Sequence, residues 1–205
     1  MKNVKFTLFL LSVLLAVNCS KAQGIEEGKK FLYYEKYISA KAVFQPLFDA
    51  DPKNEEAAYW LGQTLIAPRE DKDIAGAKAV YQKALAANGN SALLNAGLAH
   101  VELLEGKVQE ARNHFETAIS LSSGKNIMVL DAVGFANGDF DSKLGDATYA
   151  VEKLQQATSQ KGFKDARILT DLGDAYRKAG DGGTAQRTYE AALATDPKYA
   201  RAKFR

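Results

Sequence analysis

Two kinds of hydrophobic pattern divide the chain. From Phe6 to Val17 the run "FTLFLLSVLLAV" is apolar on every side, with Thr7 and Ser12 as its polar interruptions. From about residue 24 onward, apolar residues recur three and four positions apart, the spacing that lines one face of a helix. The clearest stretch, "ARILTDLGDAYRKAGDGGTAQRTYEAALATDPK", starts at Ala166. Leu169, Leu172 and Tyr176 share a face of a first helix, which Gly180 closes. Ala185, Tyr189 and Ala192 share a face of a second, which Pro197 stops.

The same spacing recurs upstream. Gly28, Phe31, Ala40, Phe44 and Pro52 form one set, and Gly62, Leu65, Ala77, Tyr81 and Ala84 a second. Leu98, Ala99, Gly106, Ala111, Phe115 and Ala118 form a third. Leu130, Val133, Gly134, Ala150, Leu154 and Ala157 form a fourth, split by the long turn "NGDFDSKLGD". The pattern predicts helix pairs over 21–54, 55–91, 92–126, 127–165 and 166–199, and the opening of a sixth over 200–205. Small residues such as Gly173, Ala185 and Ala192 let two antiparallel helices approach, and Leu172, Tyr176 and Tyr189 fill the space between them.

The unit at Ala166 resembles the tetratricopeptide repeat (TPR), whose 34-residue pattern runs W-x2-L-G-x2-Y, then A-x3-F, then P. Leu169 stands for the Trp and Tyr189 for the Phe. The resemblance runs over residues 24–205 and implies an all-α fold, a right-handed α-solenoid of helix–turn–helix units. A sixth helix begun at Ala200, with no polar terminal helix to cover the fifth pair, implies a longer parent chain.

The apolar run at the start changes the reading of charge. Lys2 and Lys5 precede it, it is too short to span a bilayer, and small residues follow, as in a cleaved export signal. Two processing sites compete. Ser20 and Ala22 suit cleavage that leaves Gln23 first, whereas "LAVNC" loosely resembles the site of a lipid anchor on Cys19. The "SKAQG" ending is similar to exported cell-envelope proteins of the Bacteroidota. Removing residues 1–22 takes away Lys2, Lys5 and Lys21 and no acid, leaving 24 basic and 25 acidic side chains. Such a mature chain has no transmembrane segment and no basic excess to bind nucleic acid. Its destination is the periplasm or the outer membrane. Cys19 is the single cysteine, so no internal disulfide forms.

Candidate chemistry is sparse. His100 and His114 lie across a turn at no metal-ligand spacing. Asn137, Asp139 and Asp141 alternate as in a calcium loop, but Ser142 and Thr148 stand where Gly and Glu are needed. "AGDGGTA" and "SSGKN" lack the context of phosphate loops. No nucleophile has a base with an orienting acid. The expectation is therefore a non-catalytic chain, with no cofactor and no metal.

What remains is the inner face, which the resemblance assigns to the first helix of each pair. Partner-binding candidates there are Tyr59, Gln63, Leu93, His100, Phe135, Arg167, Asp174, Arg177 and Lys178. The middle of this face reads as apolar and its C-terminal end as basic, with Arg201 continuing the trend. A protein or peptide partner is implied. An alternative is a docking or sensing arm of a larger enzyme or sensor that continues past residue 205. A carbohydrate or lipid binder would instead need Tyr33, Tyr59 and Phe135 exposed together.

Overall fold

The computed structural model describes residues 22–68 and 70–203. The expected export signal and Cys19 lie outside them, apart from Ala22. All regular structure among the described residues is helical: α1 (22–33), α2 (Tyr37–Ala50), α3 (Glu55–Ile66), α4 (Ile74–Ala87), α5 (Ala92–Leu104) and α6 (Val108–Leu121). Then come α7 (Ile127–Gly138), α8 (Ala147–Thr158), α9 (Ala166–Lys178), α10 (Gly182–Thr195) and α11 (Ala200–Lys203). No described helix is long and apolar enough to cross a membrane.

Short polar side chains set the helix starts. Asn54, Ser91, Asn126 and Asp165 accept the free backbone N–H groups that open α3, α5, α7 and α9, and Asp146 and Asp181 do so for α8 and α10. Asp146 is the acid of the long fourth turn that caps the helix after it.

The chain divides into two units, one ending at Ala87 and one starting at Asn88. In the first unit α2 packs on α3 and α3 on α4. In the second, α5/α6, α7/α8 and α9/α10 are antiparallel pairs, and the first helices α5, α7, α9 and α11 lie side by side. Close approach within a pair depends on a missing side chain. A Cβ at Gly62 would fall inside the Tyr81 ring, and one at Gly173 inside the Tyr189 ring. Both rings are buried and carry a hydroxyl that must find a partner. Gln63 Nε2 donates to the Tyr81 hydroxyl at 3.0 Å, and that hydroxyl donates to the Tyr59 carbonyl at 3.1 Å. The Tyr189 hydroxyl donates to Asp174 Oδ1 at 2.7 Å. The residue after the packing glycine thus holds the facing tyrosine in both units.

Candidate functional site

The side-by-side first helices of the second unit gather five of the expected site residues. His100 on α5 meets the Phe135 ring of α7 edge-on, with centroids 5.8 Å apart. The Arg201 guanidinium of α11 lies 5.9 Å from the centre of the same ring. Arg167 at the start of α9 reaches back to α7, its Nη2 2.6 Å from Asp131 Oδ2, while its Nη1 lies 2.9 Å from Asp171 Oδ2. Arg201 takes Asp171 Oδ1 and Asp174 Oδ2, each at 2.6 Å. Arg177 closes the row, 3.6 Å from Asp174 Oδ1, with its guanidinium over the exposed Phe140 ring.

The result is an alternating ladder, Asp131–Arg167–Asp171–Arg201–Asp174, that ties α7, α9 and α11 together. Depth separates the two charges. The three carboxylates are buried, whereas the side chains of Arg167 and Arg201 are 33% and 31% exposed. This corrects the expectation of a basic end: each arginine is matched by buried acid, and Asp165 adds a further carboxylate beside Asp131. Burial raises the Asp131 carboxyl to about 6, with Arg167 pulling it back down. Burial also raises Asp171, against the pull of Arg201 and Arg167. Asp131 and Asp171 are not among the partner-binding candidates above; both are acids inside a helix at buried positions, and for Asp171 the i,i+4 spacing to Arg167 was the available signal.

The remaining candidates are placed differently. Lys178 turns to the long turn, where its Nζ donates to the carbonyls of Asn137, Asp139 and Ser142 at 2.7, 2.9 and 2.8 Å. Burial lowers its pKa, as a desolvated ammonium requires. His100 Nε2 stands 3.2 Å from the hydroxyl of the buried Ser142, and Asn137 Oδ1 accepts from Asp146 N, so the same turn is held from three helices. His114 pairs with Glu102 at 2.8 Å. Leu93 is buried on α5. Tyr59 and Gln63 lie in the first unit. Tyr59 is 4% exposed, so the three aromatics that a sugar or lipid surface needs are not exposed together. Among the described residues no three His, Cys, Asp or Glu side chains are grouped to hold a metal ion.

Residues 69–126 and 170–205 match the model of the tetratricopeptide repeat family. Both segments are similar to that family's repeat unit. Among solved structures, TTC0263, a thermophilic TPR protein of Thermus thermophilus, superposes with a TM-score of 0.64 at 19% identity, over 90% of this chain and 100% of that one. YrrB, described as a TPR protein with an unusual peptide-binding site, gives 0.50 at 17% identity, over 88% of this chain and 89% of that one. No curated protein matches. Identity at this level speaks for the fold, which is the all-α solenoid class built of TPR units.

Proposed function

We propose that this chain is a non-catalytic scaffold of the bacterial cell envelope, which holds a peptide or protein partner on the first-helix face of its second unit. The observation that carries the reading is the convergence of His100, Phe135, Arg167, Asp174 and Arg177 on α5, α7 and α9. A ring with surface left over and guanidiniums held in place by buried carboxylates form a surface whose shape is set before a partner arrives, which lowers the cost of binding. A fold neighbour described by its peptide-binding site is in keeping with this use of the fold. Export rests on the leader-like pattern of residues 1–22.

A photo-reactive amino acid at Phe135 or Arg177, in the full chain expressed in its native host, tests the surface. Discrete cross-links from these two positions, and none from the outward Gln156 and Gln186, are expected. Equal cross-linking from both faces, or none from the first, would remove the proposal. The mass of the mature protein tests the export part: a start at Gln23 or a lipid on Cys19 is expected, and an intact Met1 would count against it.

A further inference from the structure

The sequence contains two Asn-Gly pairs, Asn88-Gly89 and Asn137-Gly138, and the fold treats them oppositely. In such a pair the glycine has no Cβ to block a close approach, so its main-chain nitrogen can reach the side-chain amide carbon of the asparagine before it. Whether it does so depends on how firmly the two groups are held apart.

Asn137 and Gly138 close α7, and both are buried. Asn137 Nδ2 donates to the Val133 carbonyl at 2.9 Å, and its Oδ1 accepts from Asp146 N at 3.1 Å. The amide is fixed through both of its polar atoms, within a helical main chain. Asn88 and Gly89 instead lie in the turn between α4 and α5, Asn88 half-buried and Gly89 exposed. Among the described residues the Asn88 amide has no hydrogen-bond partner, and the Gly89 N–H donates to none. The bond that runs across this turn, from Ser91 N to the Asn88 carbonyl at 3.3 Å, uses neither group.

We propose that Asn88 is a site of spontaneous deamidation, which gives the folded chain a new carboxylate as it ages. The Gly89 nitrogen loses its proton to hydroxide and attacks Asn88 Cγ. The new C–N bond closes a cyclic imide; the Cγ–Nδ2 bond breaks, and the amide nitrogen takes a proton from water and leaves as ammonia. Water then opens the imide at one of its carbonyls. One opening leaves aspartate; the other leaves isoaspartate, in which the main chain runs through Cβ and Cγ. The overall change is water in and ammonia out, with nothing oxidised or reduced.

Both products place a negative charge just past the end of α4, against the helix dipole, and α4 has no basic residue in its last turn to offset it. Isoaspartate also lengthens the main chain shortly before Ser91, whose hydroxyl accepts from Leu94 N at 3.1 Å and so caps α5. The modification therefore bears on the end of one helix and the start of the next.

To test this, the purified full chain is held in mildly alkaline buffer at physiological temperature, once folded and once in urea. Its peptides are followed by mass, with aspartate and isoaspartate forms separated by chromatography. In the folded chain Asn88 should convert at least tenfold faster than Asn137, and in urea the two should convert at similar rates. Gly89→Ala should slow conversion at Asn88 at least tenfold and leave Asn137 unchanged. Equal rates at the two sites in the folded chain, or conversion at Asn88 in urea alone, would overturn the proposal. So would conversion at Asn88 that Gly89→Ala leaves unaltered, because the attack would then not come from the Gly89 nitrogen. A gap between the sites that persists in urea would remove the role given to the fold.

Discussion

Tyr189 stands where Gly173 leaves room for it: a Cβ at Gly173 would overlap the ring. The ring cannot retreat freely, because its hydroxyl is held 2.7 Å from Asp174 Oδ1, on the residue next to that glycine. The gain in helix propensity from Gly173→Ala, about 1 kcal/mol, therefore meets an overpacking cost of roughly 1–3 kcal/mol or more. Gly173→Ala should destabilise the second unit, while Gly182→Ala, with nothing within 4 Å of a new Cβ, should be neutral or stabilising. Urea unfolding of the two variants checks the pair. Equal midpoints would mean that the α9–α10 contact has slack that the ring geometry denies.

The long turn between α7 and α8 depends on one ammonium. Lys178 Nζ supplies donors to three carbonyls that span Asn137 to Ser142. Lys178→Met keeps most of the stem and removes all three bonds. The expected loss is about 2 kcal/mol, typical of hydrogen bonds to a charged group. Amide exchange over residues 139–146 should speed up, while α10 keeps its protection. Unchanged exchange in the turn would show that His100 and Asn137 suffice to hold it.

Glu35 occupies the turn between α1 and α2 with φ +55°, a left-handed conformation for a residue with a Cβ. Gly106 and Gly180 take the corresponding place in later turns, at +82° and +86°. The left-handed region costs a non-glycine residue roughly 1–2 kcal/mol, part of which glycine gives back through its freer unfolded chain. Glu35→Gly should therefore raise stability by about 0.5–1 kcal/mol, and Gly180→Ala should lower it by a similar amount. Thermal melts of both variants decide the sign.

The helix pairs were legible because their signals are local. Gly62 and Tyr81, or Gly173 and Tyr189, belong to one helix pair, and the spacing that brings them together is written in the turn between. The ladder as a whole was not legible, because the links that join α7, α9 and α11 come from successive pairs. Asp171 reads as an ordinary acid within a helix until Arg201, thirty residues on, is brought beside it by the packing of α11 on α9. The bond from Arg167 to Asp131 on α7 is hidden for the same reason, whereas Arg167–Asp171 and Arg177–Asp174 are neighbours four and three positions apart on α9 itself. Lys178 falls on the inner face by its spacing, yet its ammonium points to carbonyls about forty residues upstream. Periodicity shows which face a residue takes. It does not show which neighbour that face will meet.

The buried end of the ladder makes a prediction about pH. An unfolded chain holds Asp131 near the ordinary aspartate value of about 3.9. In the folded chain burial raises it to about 6, with Arg167 offsetting part of the rise. The folded state therefore binds this proton more tightly, and between about pH 6 and 4 acidification favours folding through this group. Above pH 6 the carboxylate is kept charged at a cost. Asp131→Asn removes the titration while keeping an oxygen for Arg167, so acids remote from the ladder cancel in the comparison. As pH falls from 7.5 to 4.5, the wild-type chain should gain stability relative to the variant by roughly 1–3 kcal/mol. Urea unfolding of both proteins at several pH values in this window measures the difference directly. A difference that stays flat would mean that Arg167 alone satisfies the carboxylate. A difference of opposite sign would mean that the ion pair outweighs the burial that opposes it.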